Sequence, residues 1–484
     1  MHAAFHENLR RVFQDTRGPA YVNGGDTHSY EELWDTVRRF NRAFGGRSGL
    51  KIATRTRKSF PTYAAIHATV LSGNTWIPLS TTTPDDRLIA MLDLAEPDVV
   101  VVDGEASAAL AEHGRARGYT IIDVAEPMQL DRGRDFAPVT VGPDDLAMIY
   151  FTSGSTGVPK GVRLTQDSLA VNVENILNLV KIRQGEVFAD YHDLSFVISV
   201  PILFPCAITG GAVAPADNPR DQLMPVEHMI HNRVSTLITV PSTIARICKT
   251  LRGQSLPDLS VLISCGEPLH LDVLKSALED LRPRHMYNFY GSTEVGPWTF
   301  HHPCSIEDVS RFADLGYLPI GTPIEGNEVR IGENDELLVA GRQVSPGYLG
   351  GVGEDRFVIE NGERWYHTGD KVVIHDGLYV CKGRLDSQVK IAGHRVELLD
   401  VEAHLRAMED VDNAICFTVG EDEARYVAAV LITETDIDLR TVRNRLEKKL
   451  PPYMLPKRIQ CLASPPTNRS GKVDRVALRE GFPT

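Results

Sequence analysis

The densest chemistry in the chain lies in one run, Tyr150-Phe151-Thr152-Ser153-Gly154-Ser155-Thr156-Gly157-Val158-Pro159-Lys160-Gly161. Glycine lets backbone N–H groups approach an anion with no Cβ in the way, Ser and Thr hydroxyls add donors, and Lys160 adds positive charge. Such a loop is suited to phosphate. It is not the P-loop pattern, because Pro159 precedes Lys160 and Gly161-Val162 follow it where Ser/Thr and a helix belong. A flexible Gly/Ser linker has a similar composition, but this loop sits between two apolar runs and not between domains.

Two further loops combine polar groups at the ends of apolar runs. Cys265-Gly266-Glu267-Pro268 follows Val261-Leu262-Ile263-Ser264, and Tyr290-Gly291-Ser292-Thr293-Glu294 follows His285 to Tyr290. The second offers an aromatic face, a glycine, two hydroxyls and a carboxylate, which could stack on a base, bond a phosphate and hold magnesium; taken alone, it fits an ordinary turn better. Ligands of open α/β sheets bind at the carboxyl ends of strands, where both loops would fall.

The elements that must position these loops follow from periodicity. Residues 19–145 alternate short apolar strands (Lys51 to Thr54, Trp76 to Leu79, Val99 to Val102) with helical patterns, as α/β layers do. Leu146 to Phe151 reads as a buried strand, and Thr165 caps a predicted helix through about Leu179. Phe5, Leu9, Val12 and Phe13 give the N-terminus an amphipathic helix and no signal peptide. Leu194 to Thr209 is too short to span a bilayer and carries Pro201 and Pro205, so it reads as a buried wall. Beyond about Asp386 some 100 residues can form a small domain of their own. The expected organisation is therefore a large N-terminal domain of sheets and helices, 1–385, and a small mobile α+β domain, 386–484.

Length and charge narrow the class. A chain of 484 residues calls for more than one core. The formal net charge of −13 argues against nucleic acid as the main partner, and no basic tail addresses a membrane surface. Seven cysteines without CxxC pairs predict reduced thiols in a cytoplasmic protein, with neither disulfide framework nor zinc site.

Taken in order, the glycine loop, Tyr290-Gly291-Ser292-Thr293-Glu294, Thr368-Gly369-Asp370, Gly383-Arg384-Leu385-Asp386 and Ser470-Gly471-Lys472 resemble the motifs of adenylate-forming enzymes: acyl-CoA synthetases, luciferases and nonribosomal peptide synthetase adenylation domains. The resemblance implies attack of a carboxylate on the α-phosphate of Mg-ATP, giving an acyl-adenylate, and displacement of AMP by a thiol. It also implies roles. Ser153, Thr156 and Lys160 would hold the β- and γ-phosphates, with Thr152, Gly154, Ser155 and Gly157 of the same loop also binding the nucleotide. Thr293 would bond the α-phosphate and Glu294 would ligate magnesium. Tyr290 would stack on adenine beside Gly266, Glu267, Pro268, Gly291 and Ser292, while Asp370 and Arg384 would bond the ribose. Lys472 would meet the substrate carboxylate and the charge developing at the α-phosphate. Asp386 would be the hinge, and Lys390 with Gly393-His394-Arg395 would face the site during thiolation.

In amino-acid-activating members of this family, an aspartate near the start of the apolar wall pairs with the substrate ammonium, and Asp193 stands there. A carboxylate opening an apolar wall is costly unless paired, although a helix-capping aspartate can occupy such a place. Matched positions give Leu194, Val197, Thr239, Ile263, Cys265, Phe289, Pro297 and Trp298 as pocket candidates, and the bulk of Phe289 and Trp298 suggests a short substrate side chain. Asp193-Leu194-Ser195 and Cys265-Gly266-Glu267 resemble the D-alanyl carrier protein ligases, whereas Ser292 and Val295-Gly296-Pro297-Trp298 depart from that pattern and leave chirality open. The expected reaction is activation of a small amino acid and transfer to the phosphopantetheine thiol of a separate carrier protein. Arg440, Arg443, Arg445, Lys448 and Lys449 on a helix with Val442, Leu446 and Leu450 inward could dock that carrier or simply be solvated. The alternatives are an acyl- or aryl-CoA synthetase and a non-catalytic homologue; retention of Lys472, Glu294 and Asp370 argues against the latter.

Overall fold

The computed structural model describes residues 2–104, 107–124, 139–152, 159–351, 353–385, 388–420, 424–433, 437–463, 466 and 475–483. Ser153 to Val158, Asp386 and Lys472 lie outside the described residues. The chain forms two compact units: Met1–Thr81 with Ala95–Tyr150 and Gly161–Gly383, and Thr82–Leu94 with Phe151–Lys160 and Arg384–Thr484.

In the first unit a nine-stranded sheet runs in the order Thr322–Pro323, Phe300–Pro303, His285–Tyr290, Val261–Cys265, Thr236–Thr239, Val187–Asp190, Ala212–Pro215, Pro19–Asn23, Asp26–Ser29. From His285–Tyr290 to Pro19–Asn23 neighbours are parallel, so their carboxyl ends share one edge. Alternation sorts each strand between two cores. Ile238, Ile263, Cys265 and Phe289 enter one apolar cluster, while Leu237, Leu262 and Met286 enter another on the opposite face. A six-stranded sheet (Thr120–Asp123, Val99–Val102, Lys51–Arg55, Thr75–Pro78, Leu146–Thr152, Lys160–Thr165) adds Ile52, Trp76 and Met148 to the first of these clusters. A third sheet of five strands spans Asn327–Ile331 to Leu378–Arg384.

The helices form where the pattern places them. Thr165 accepts a hydrogen bond from Ser168 N and caps Gln166–Leu179. Ser29 and Glu32 make a reciprocal capping box on Tyr30–Ala43. The amphipathic N-terminal helix is His2–Asp15, with Phe5, Leu9 and Phe13 buried. The apolar wall contains the helix Ser199–Ile208, whose Pro201 and Pro205 are both buried.

The second unit holds a three-stranded sheet in which Tyr426–Ile432 pairs antiparallel with Asn413–Val419 and parallel with Arg458–Leu462. Helices Leu398–Arg406 and Leu439–Glu447 share one core with it, through Val401, Leu405, Val442 and Leu446. Leu478 and Phe482 belong to a separate cluster with Ile415, Phe417 and Val430. Within this unit Arg87 Nη2 donates to the fully buried Asp400 at 3.1 Å, and His404 Nδ1 lies 3.1 Å from the other carboxylate oxygen. All seven cysteines are free thiols. Among the described residues, no helix is long and apolar enough to cross a membrane.

Candidate active site

The candidate residues of the first unit gather at the carboxyl edge of the parallel strands, because a strand that ends there releases its polar loop to that side. Asp193 comes three residues after Val187–Asp190, Gly266 directly after Val261–Cys265, and Gly291 directly after His285–Tyr290. Cys265 and Phe289 are paired in register on adjacent strands.

Gly291 is required by close packing. A Cβ there would lie 2.4 Å from Pro297 O and 2.8 Å from its carbonyl carbon, both backbone atoms. This contact folds 292–298 back on the strand end, where Thr299 N donates to Tyr290 O at 2.7 Å. Thr293–Val295 forms a short 3-10 turn that carries Glu294 inward, 1 % exposed. Burial of a carboxylate is costly without partners; here Tyr348 Oη donates to Glu294 Oε1 at 2.9 Å. The main chain is held as well, since Ser345 N donates to Glu294 O at 2.8 Å. Ser292 Oγ is buried with no hydrogen-bond partner among the described residues.

Tyr290 and Asp370 are brought together: the phenol donates to Asp370 Oδ2. Asp370 is set by Thr368, whose Oγ1 accepts from Asp370 N at 3.0 Å and donates to Leu337 O at 2.7 Å. Glu336 accepts from Gly369 N at 2.8 Å and contacts His367 Nδ1 at 2.9 Å, which fixes the turn. Glu267 Oε2 accepts from Ser242 N at 3.2 Å. Thr152, Lys160 and Arg384 fall in the second unit, with Lys160 opening the strand Lys160–Thr165.

On the substrate side, Asp193 is half-buried and densely hydrogen-bonded. Its Oδ1 accepts from Ser195 N at 2.9 Å and Ser195 Oγ at 2.7 Å, and its Oδ2 accepts from Ser80 Oγ at 2.6 Å. Asp193 therefore closes its own turn through Ser195 and caps no helix, since the helix that follows, Ser199–Ile208, has no side-chain cap. Leu194, Ile263, Cys265, Phe289 and Trp298 belong to one buried cluster, with Val197 packed against it. Phe289 and Trp298 pack against each other with ring centroids 4.1 Å apart and planes tilted by 30°, and are 2 % and 3 % exposed. Thr239 is buried and its Oγ1 is hydrogen-bonded to His192 Nε2 at 3.0 Å; Pro297 is buried against Gly291. Asp190 is fully buried, and burial raises its pKa against the lowering effect of Lys58. Its partners are Tyr63 Oη, donating at 2.7 Å, and Lys58 Nζ, 3.8 Å from Oδ1.

Sequence reasoning did not single out Ser80, His192, Ser345 or Tyr348. Ser80, Ser345 and Tyr348 reach the site from distant segments, His192 lies beside Asp193 but turns to Thr239, 47 residues on, and a lone Ser, His or Tyr carries no spacing signal.

Comparison with known proteins identifies the class. Residues 10–349 match the model of the AMP-binding enzyme family and residues 400–472 that of the AMP-binding enzyme C-terminal domain, so the chain belongs to the AMP-binding enzymes, with the adenylate-forming α/β fold of a large and a small domain. It is an adenylate-forming, ATP-using ligase in class. Among its relatives is an L-proline–[L-prolyl-carrier protein] ligase of Pseudomonas fluorescens, 31 % identical over 513 residues covering 99 % of this chain and 98 % of the relative. Another is a D-alanine–D-alanyl carrier protein ligase of Bacillus licheniformis, 28 % identical over 95 % of this chain and 96 % of its own. In fold the chain is similar to the Vibrio cholerae adenylation domain AlmE in complex with glycyl-adenosine-5'-phosphate, with TM-score 0.86, 23 % identity and coverage of 99 % and 98 % of the two chains.

Proposed function

We propose that this enzyme activates a small amino acid as its aminoacyl-adenylate and passes the aminoacyl group to the phosphopantetheine thiol of a separate carrier protein. The observation that carries the reading is the half-buried Asp193 carboxylate at the strand edge, next in sequence to Leu194 of an apolar cluster that contains the closely packed Phe289–Trp298 pair. A carboxylate in that setting favours a cationic group. The aromatic pair occupies volume that a long substrate side chain would need. The relatives named as carrier protein ligases for D-alanine and L-proline support both the small amino acid and the carrier.

In the first half-reaction, a substrate carboxylate oxygen bonds to the α-phosphorus as the bond to pyrophosphate breaks. Thr293 and the buried Ser292 hydroxyl stand ready as phosphate donors, and Glu294 would hold Mg2+. A magnesium ion in such a site takes few protein ligands and draws the rest from phosphate and water. Lys472 and Lys160 would offset the negative charge that develops. In the second half-reaction, a thiolate sulfur bonds to the acyl carbon, and the mixed anhydride C–O bond breaks to release AMP. The small C-terminal domain, pivoting at Asp386, would exchange Lys472 for the 390–395 region between these steps.

Amino-acid-dependent exchange of labelled pyrophosphate into ATP tests the proposal. Glycine, alanine of either hand, serine or proline should support exchange, with transfer to a phosphopantetheinylated carrier. Exchange confined to acids lacking an amine, with free coenzyme A as acceptor, would overturn it in favour of an acyl- or aryl-CoA synthetase.

A further inference from the structure

The Asp193 carboxylate is held from two directions that are remote in sequence. Ser195 belongs to its own turn and pins Oδ1 through both its N–H and its hydroxyl, at 2.9 and 2.7 Å. Ser80 comes two residues after the strand Thr75–Pro78 of the six-stranded sheet, and its hydroxyl reaches Oδ2 at 2.6 Å. The bond therefore ties the carboxyl ends of strands from two different sheets.

We propose that Ser80 is a positioning residue for amine recognition: it fixes the plane of the Asp193 carboxylate, so that one acceptor direction of Oδ2 is presented to the substrate ammonium. This rests on the reading of Asp193 as the amine anchor.

A carboxylate has about four acceptor directions. Among the described residues, Ser195 takes both on Oδ1 and Ser80 takes one on Oδ2. The remaining direction suits one N–H of an ammonium. Rotation about the terminal torsion of aspartate is soft, so the two bonds to Oδ1 alone would let Oδ2 swing. The bond from Ser80 removes that freedom before substrate arrives, which lowers the ordering cost of binding. The neighbouring negative charge is matched internally, because Asp190 faces Lys58 Nζ at 3.8 Å and accepts from Tyr63 Oη at 2.7 Å. Asp193 is thus the carboxylate left to answer a substrate cation.

The test compares Ser80→Ala, Ser80→Thr and Asp193→Ala in pyrophosphate exchange, with amino acid and ATP varied separately. Ser80→Ala should raise the amino-acid KM about tenfold, the order expected for one hydrogen bond to a charged group, and the ATP KM by less than about twofold. Ser80→Thr, which keeps the hydroxyl, should recover most of the loss; a purely structural lesion would move both KM values and would not be rescued in this way. An unchanged amino-acid KM in Ser80→Ala, with a large rise in Asp193→Ala, would overturn the role of Ser80 alone. An unchanged amino-acid KM in Asp193→Ala would overturn the anchor itself, and the proposal with it.

Discussion

Replacing Gly291 by alanine should damage catalysis more than stability. The added Cβ would meet Pro297 O at 2.4 Å, Pro297 C at 2.8 Å and Trp298 Cα at 2.9 Å. All three are backbone atoms, so no side chain can rotate away, and the shortest contact must open to at least 3.0 Å. Movement on the 291 side displaces Ser292, Thr293 and Glu294, which are anchored by the Ser345 N to Glu294 O bond at 2.8 Å and the Tyr348 to Glu294 bond at 2.9 Å. Movement on the other side displaces Trp298 from its contact with Phe289. Overpacking of this kind costs about 1–3 kcal/mol. A misplacement approaching 1 Å at a reacting centre costs on the order of 10²-fold in rate. The expected result is a folded protein, melting a few degrees lower, whose pyrophosphate exchange falls about a hundredfold. Exchange within about threefold of the parent, with an unchanged melt, would show that residues 291–298 do not set the geometry of the reacting groups.

Lys472→Ala should lose most adenylate formation while retaining ATP binding, which equilibrium binding of labelled ATP beside a single-turnover assay can separate; an unchanged adenylation rate would remove Lys472 from its role. His404 gives a pH signature: its bond to Asp400 raises the imidazole pKa above the usual 6.5. Proton binding is then tighter in the folded state, so its stabilisation is complete below about pH 6.5 and disappears as pH rises through the raised value. Thermal melts of the parent and His404→Gln should therefore converge toward alkaline pH, and a gap that widens instead would refute the assignment. Residues 438–458 carry seven bases against two acids in a chain of net charge −13, and Arg445 and Lys448 are exposed. If this face steers an acidic carrier, Arg445→Glu with Lys448→Glu should lower carrier aminoacylation about tenfold at low salt and flatten its salt dependence, leaving pyrophosphate exchange intact. Equal carrier kinetics in both proteins would make the face merely solvated.

Much of the architecture was legible because it rests on local periodicity. The runs Val261 to Ser264 and His285 to Tyr290 are apolar enough for strands buried on both faces, and Thr165 stands where a helix needs a cap. The places of the polar loops were legible for a related reason: glycine, hydroxyl and carboxylate collect directly where the apolar runs ending at Cys265 and Tyr290 stop. What could not be read was the set of side chains that hold these groups still. Tyr348 reaches Glu294 across 54 residues and Ser80 reaches Asp193 across 113. Pairings at such separation leave no pattern in one chain.

The Asp193 site shows the division. From sequence, a carboxylate opens an apolar wall, and both a substrate anchor and a cap are consistent with it. Tertiary structure decides that one oxygen closes the turn through Ser195 while the other is held by Ser80. Sequence alone determined the class of chemistry, since residue types and their order along the chain carry it. Only the packed sheets determined the direction in which each group points, because direction depends on contacts that exist only once distant strand ends meet at the same edge.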